Sequence, residues 1–217
     1  MRYSVRGLEV RSENAAQATD RPAQHLVELL RAEQGLRHSL DYGCGKLRYT
    51  GLLAERSTRV TIVDSDVQLG RVQPLGRENT SIREYIAQHW PNCRALTVHQ
   101  FHGDRTRYDF VLCANVLSAI PDYDARGRAI EAIRDHLTRA GRALFVTQYR
   151  DASFTERITA GRAQRYRNGW LVADPNRPTF YEMIDSDHLQ RLLIRHGLHT
   201  ASAHIHDKSA YVFATHD

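Results

Sequence analysis

Apolar positions along the chain switch between the helical period and the strand period, and the switches mark its elements. After Asp20-Arg21-Pro22, where an aspartate cap and an early proline open a helix, Leu26, Leu29 and Leu30 recur on one face until Gly35 stops it. Ser39-Leu40-Asp41-Tyr42 reads as a short strand running into the turn Gly43-Cys44-Gly45, and a helix follows through Leu52, Leu53 and Ala54. Arg59–Asp64 is a β-branched run ending in an acid, the pattern of a buried parallel strand, and it completes a βαβ unit.

Ser81-Ile82-Arg83-Glu84 has the capping-box pattern and predicts a helix to Trp90, where Pro91-Asn92 breaks it. Ala95–Val98, Tyr108–Cys113 and Ala143–Thr147 read as further strands, with a helix from Asp124 to Thr138 whose end Gly141 marks. From Tyr149 to Met183 the pattern is irregular. Ser186 can cap a helix carrying Leu189, Leu192, Leu193 and Ile194 up to Gly197, and two last strands, Thr200–Ile205 and Ala210–Ala214, are joined by a tight turn.

Strands alternating with helices predict an α/β fold: a doubly wound, mostly parallel seven-stranded sheet with an antiparallel C-terminal hairpin and helices on both faces. We read the chain as a single domain over residues 1–217, with an N-terminal extension (1–20) and a lid or specificity insertion (149–183). No internal repeat or linker interrupts it.

Composition adds limits. With 217 residues, 41% hydrophobic and 25% charged, the chain has the makeup of one globular domain. Its start lacks an apolar core with a small-residue cleavage site, and no run approaches membrane-spanning length, so a cytoplasmic protein without a membrane partner is expected. Cys44, Cys93 and Cys113 form neither an even set nor a C-x-x-C pair, which fits reduced thiols. The net charge of +5 favours anionic partners, but the arginines are spread rather than gathered into a tail.

In a doubly wound sheet, ligands bind beyond the carboxyl ends of the central strands. Gly43 and Gly45 let the backbone turn sharply there and approach a ligand, and Asp64, about twenty residues on at the next strand's end, is placed to accept from ribose hydroxyls. A glycine pair alone is weak evidence. The strand before it, the helix after it and the acid ending the second strand strengthen it.

On these residues the chain resembles the class I S-adenosylmethionine-dependent methyltransferases: Leu40-Asp41-Tyr42-Gly43-Cys44-Gly45 keeps the D-x-G-x-G core of their first motif, and Asp64 matches their second. The resemblance extends as strand order over about Leu26 to Thr147, and the last hairpin is similar to that family's reversed final strands. It implies S-adenosylmethionine as cofactor and S-adenosylhomocysteine as product, with Asp41, Gly43 and Gly45 beside the methionine part and Asp64 on the ribose. Tyr42, Cys44 and Ser65 are further cofactor-binding candidates, and Asn115 falls in a loop near the cofactor and its transferring methyl group.

Two positions depart from the family. Leu47 stands where a third glycine is common, and His99 and Gln100 stand where an acid commonly holds the adenine amino group. A nicotinamide-binding oxidoreductase, the competing reading, needs G-x-G-x-x-G, but Arg48 occupies the last glycine position.

Methyl transfer is an in-line displacement, so alignment and exclusion of water can supply much of the catalysis. A base for an acceptor hydroxyl or amine could be His99, Tyr123, Tyr149 or Tyr181, each equally readable as a packing or solvated side chain. His99 and His102 lack a strong metal-site spacing, and His204 with His206 lack further ligands, so no metal is expected. After the fourth strand stands Ala114-Asn115-Val116-Leu117, neither the N/D-P-P-Y/F motif of exocyclic-amine nucleic-acid methylases nor a Pro-Cys nucleophile.

Specificity falls to the segment 149–183, where Arg150, Arg157, Arg162, Arg165 and Arg167 interleave with Phe154, Tyr166 and Trp170. Tyr149, Arg150, Tyr166 and Trp170 are its candidate acceptor contacts. Arginine with aromatics can clamp a phosphate or carboxylate, stack on nucleobases, or simply pack as a solvated lid. Three functions stay open: a methyltransferase on a small, anionic metabolite, slightly favoured; one acting on RNA or DNA; and a cofactor-binding regulator without turnover. Oligomeric state is not legible.

Overall fold

The structure, a computed structural model, describes residues 2–15, 22–148, 152–172 and 178–216, with side chains omitted for 152–154. In chain order the elements are β1 (Arg2–Val5), β2 (Leu8–Arg11), α1 (Gln24–Ala32), β3 (Leu36–Tyr42), α2 (Thr50–Arg56), β4 (Ser57–Asp64), α3 (Asp66–Gly70), β5 (Gln73–Leu75), β6 (Glu78–Thr80), α4 (Ile82–His89), β7 (Cys93–Thr97), α5 (Val98–Gly103) and β8 (Tyr108–Ala114). There follow α6 (Tyr123–His136), β9 (Leu137–Gln148), α7 (Ala152–Thr159), β10 (Ala163–Tyr166), β11 (Gly169–Val172), β12 (Thr179–Tyr181), α8 (Ser186–Arg195), β13 (His199–His206) and β14 (Ser209–Thr215).

The main sheet has seven strands in the order β13-β14-β9-β8-β3-β4-β7. β3 pairs in parallel with both β4 and β8, β4 pairs in parallel with β7, and β13 and β14 form the antiparallel hairpin. This is the mostly parallel α/β architecture expected, and its strand order reverses after β3, the first strand of the βαβ unit. Among the described residues no helix is long and apolar enough to cross a membrane.

The chain divides into two compact units. The glycine-loop unit comprises Ala16–Leu112 and His136–Ala143. Leu40 of β3, Val60, Ile62 and Val63 of β4, and Phe110 and Val111 of β8 are all at most 1% exposed and form the apolar centre of its parallel strands. The C-terminal unit comprises Met1–Ala15, Cys113–Asp135 and Leu144–Asp217. It contains a second sheet, β10-β11-β12, antiparallel throughout, and the hairpin β1-β2. Val5 and Val10 of that hairpin share a buried cluster with Leu171 and Phe180.

Several boundaries differ from the sequence reading, each for a local reason. Asp20 lies outside the described residues, and α1 begins at Gln24 with Ala23 at its cap position and no side-chain cap. A helix not expected from the sequence follows β7: a capping box of Thr97 with Gln100 starts α5, and Phe101, fully buried, stacks on His136 with ring centroids 4.2 Å apart. Gly141 does not end α6. That helix stops at His136, and Gly141 lies inside β9, where a Cβ would come within 2.6 Å of the Tyr108 carbonyl oxygen.

The stretch from 149 to 183 is not irregular, since α7 and the small sheet occupy its described part. Its strands have only three or four residues, too few to show a period. α8 is capped by the Asp185 carboxylate, which accepts from the His188 amide at 2.8 Å, rather than by Ser186.

Candidate active site

β3 delivers Asp41 and Tyr42 to its carboxyl end, and the chain then turns through Gly43 (φ 78°) and Gly45 (φ 56°). Both angles lie in the left-handed region, which glycine enters without a Cβ penalty. The Gly43 amide donates to the Val63 carbonyl at 2.7 Å, tying the turn to β4. Leu47, at φ 60°, adopts the same left-handed geometry without being glycine. Its side chain is buried, and its amide donates to the Cys44 carbonyl at 2.9 Å, so packing and a turn hydrogen bond hold a conformation that otherwise costs about 1 kcal/mol or more. The departure at position 47 thus keeps the turn.

Asp64 ends β4 and organises the turn. Its Oδ2 accepts from the Gly45 amide at 3.0 Å and lies 3.8 Å from the Cys44 Sγ, while its Oδ1 accepts from the Ser65 amide at 2.7 Å. Ser65 caps α3, its hydroxyl accepting from the Gln68 amide at 3.2 Å. Gln68 is fully buried, and its side-chain amide donates back to the Gly45 carbonyl. Sequence reading missed Gln68, because a glutamine on a short helix carries no signal until the turn is folded against it.

Asp41 is 4% exposed, and its Oδ2 accepts from the Thr50 hydroxyl at 2.6 Å. Burial pushes its carboxyl up to about 7; the Thr50 hydrogen bond opposes this and the nearby Asp64 charge adds to it. Burial likewise raises the Cys44 thiol well above its ordinary range, with Asp64 and Asp41 reinforcing the effect, so Cys44 is a packed thiol rather than a nucleophile. Cys44, Cys93 and Cys113 are all free.

The positions after β7 are both exposed, and the Gln100 side chain is engaged, its Oε1 accepting from the Thr97 amide at 2.8 Å. Among the described residues no three His, Cys, Asp or Glu side chains are grouped to hold a metal.

In the C-terminal unit, Asn115 follows β8 at φ 61°, exposed, its amide donating to the Val146 carbonyl at 2.8 Å. Tyr123 opens α6 with its ring 5.2 Å from the Arg126 guanidinium and 4.9 Å from that of Arg167. Tyr181 donates its hydroxyl hydrogen to the Gln148 carbonyl at 2.8 Å. Tyr149 and Arg150 lie outside the described residues.

Tyr166 and Trp170 are not brought together. In the β10-β11 register Tyr166 faces Gly169 and Arg165 faces Trp170, so the two aromatic side chains occupy opposite faces of the small sheet. Tyr166 packs with the cluster of Val5, Val10, Leu171 and Phe180, whereas Trp170 packs on Ala163 and Val172.

This architecture, with a glycine turn after its first parallel strand, an acid closing the next and a reversed hairpin at the end, is the class I methyltransferase fold. The chain belongs to the methyltransferase domain family, whose model matches residues 15–203. It is 32% identical over 212 residues to the uncharacterized protein YmfD of Escherichia coli (strain K12), covering 98% of this chain and 95% of that one. Among solved structures it is similar to the DhpI-SAM-HEP complex, with a TM-score of 0.64, 18% identity, and 93% of this chain and 91% of that chain covered. It is also similar to the 1,6-didemethyltoxoflavin-N1-methyltransferase of Burkholderia thailandensis, with a TM-score of 0.61, 20% identity, and 94% and 80% covered.

Proposed function

We propose that this enzyme transfers the methyl group of S-adenosylmethionine to an oxygen or nitrogen of a small, anionic acceptor. The observation that carries the acceptor class is the engagement of the arginines between 162 and 167. Arg162 lies 3.6 Å from Glu156, Arg165 covers Trp170 at 5.2 Å, and Arg167 lies over Tyr166 as well as Tyr123 and donates to the Pro121 carbonyl at 3.3 Å. A surface that tracks a nucleic-acid backbone needs a row of free cations, one for each phosphate neutralised. Arg165 and Arg167 keep their charge over these rings and belong to one short hairpin, which supports contact with one compact anion rather than with a long backbone. The Burkholderia thailandensis methyltransferase, solved with bound 1,6-didemethyltoxoflavin, supports the small-molecule part of this reading.

The donor half rests on the glycine turn. When bound, the cofactor supplies a sulfonium whose S–CH3 bond breaks as the acceptor forms its bond to carbon, giving S-adenosylhomocysteine and releasing the acceptor's proton. Asp41, Tyr42, Gly43, Cys44 and Gly45 line the methionine side in this reading, and Asn115 belongs to the loop near the methyl group. Asp64 and Ser65 serve the ribose: a carboxylate held by the Gly45 and Ser65 amides is oriented before a diol arrives, which lowers the cost of binding. The adenine is held without a carboxylate from the β7 end. Among the base candidates we favour Tyr123, which is 38% exposed and lies beside the Arg126 and Arg167 guanidiniums.

The test is a lysate methylation with labelled cofactor, its products separated into small-molecule, RNA, DNA and protein fractions. Label in the small-molecule fraction is expected. Label in RNA or DNA overturns the acceptor class, and cofactor binding with no label anywhere assigns the chain a regulatory role without turnover.

A further inference from the structure

The C-terminal unit contains a cavity of about 590 Å³ between the start of α6 and the length of α8, and Asn168 of the β10-β11 turn reaches its wall. Three arginines line it, Arg126, Arg191 and Arg195, with one acidic residue, Asp124. Arg126 is 1% exposed and paired to Glu182 at 2.8 Å, yet its Nε has no hydrogen-bond partner. Arg191 and Arg195 are exposed and make no ion pair among the described residues. This contrasts with Arg162, Arg165 and Arg167, whose heads are engaged.

We propose that this cavity is a binding site for a phosphate-bearing small molecule. Arg191 and Arg195 are four residues apart on α8, which places them on one helix face about one turn from each other. One guanidinium fork satisfies a carboxylate's two oxygens, whereas a phosphate dianion, with three terminal oxygens and more charge, uses two forks. The other walls hold the site open and shaped. His196 is fixed by Glu131, its Nδ1 2.9 Å from the carboxylate, and it packs so closely on α6 that a Cβ at Gly127 would meet its ring at 2.4 Å. Leu192 and the Tyr123 ring give apolar walls for the rest of the ligand, and His188 lies at the Glu182 end, 3.8 Å from that carboxylate.

The site shares no residue with the donor reading, and phosphate binding to it is read without cofactor. Inorganic phosphate, titrated into the full chain and followed by backbone amide shifts, should saturate resonances of α8 with one-site behaviour. Arg191→Gln with Arg195→Gln should weaken that binding at least tenfold, while Arg139→Gln, which removes an exposed arginine elsewhere, should leave it unchanged. Cofactor affinity and melting temperature should be the same in all three proteins, showing that the double variant is folded. Absence of saturation, or an equal loss in Arg139→Gln, would overturn the proposal.

Discussion

The Gly45 amide donates to the Asp64 carboxylate at 3.0 Å, so the acid that closes β4 holds in place the turn that leaves β3. Two sequence features about twenty residues apart are therefore one structural object. A change at either end should disturb the other.

The first expectation concerns the donor. Asp64→Ala removes both the ribose acceptor and the anchor of Gly45, and Gly43→Val forces a β-branched residue to a φ of 78°. Each should weaken S-adenosylmethionine binding at least tenfold, about 1.4 kcal/mol, by calorimetry. Wild-type affinity in both variants would remove the turn from the donor site.

Asp41 makes stability depend on pH. Its carboxyl holds its proton to about 7 when folded, against an ordinary 3.8. Between those values the folded state binds more protons than the unfolded chain, so unfolding free energy falls as pH rises from about 4 to about 7, by up to about 4 kcal/mol, and levels off above. Asp41→Asn should flatten that slope and be the more stable protein at pH 8, as urea titrations at several pH values will show. Thr50→Val, which deletes the hydrogen bond favouring the charged form, should move the falling limb to higher pH.

Gly169 lies where the small sheet leaves no room for a side chain. A Cβ there would lie 2.3 Å from the Phe180 ring and 2.7 Å from the Tyr181 carbonyl oxygen, and backbone has nowhere to move in a paired strand. Gly169→Ala should cost about 1–3 kcal/mol of stability, measured as a lowered melting temperature. A Phe180→Leu background should recover only the ring's share of that loss.

Arg126 and Glu182 form a buried ion pair, with side chains 2% and 1% exposed. Arg126→Met leaves a buried carboxylate without its partner and should destabilise the chain by about 3–5 kcal/mol, whereas adding Glu182→Leu should restore most of the loss. Equal stability of the single and double variants in denaturant titration would show that the pair is not coupled.

Legibility followed the range of the interaction. Ser81 and Glu84 are three residues apart, and their capping box was read correctly from spacing alone, because both partners lie on the first turn of one helix. The βαβ unit was equally plain, since the β-branched run Val60–Val63 and the glycine turn after β3 are local signals. Gly141 misled for the opposite reason: its requirement comes from the Tyr108 carbonyl on another strand, and no local pattern separates that from a helix stop. α5 was missed because its anchor, Phe101, is stacked on His136, thirty-five residues away.

The sequence by itself determined the alternation of strand and helix, the glycine turn, the acid at the end of the second strand and hence the family. These depend on residues a few positions apart or on burial that forces a composition. Only the tertiary structure decided that Thr50 and Gln68 support the turn, that Leu47 holds a left-handed angle without glycine, and that Tyr166 and Trp170 face opposite sides of the small sheet. It also decided which arginines are engaged and which stand free around the α6-α8 cavity. Those outcomes depend on which distant groups meet, and a charge or a ring looks the same in sequence whether or not its partner has arrived.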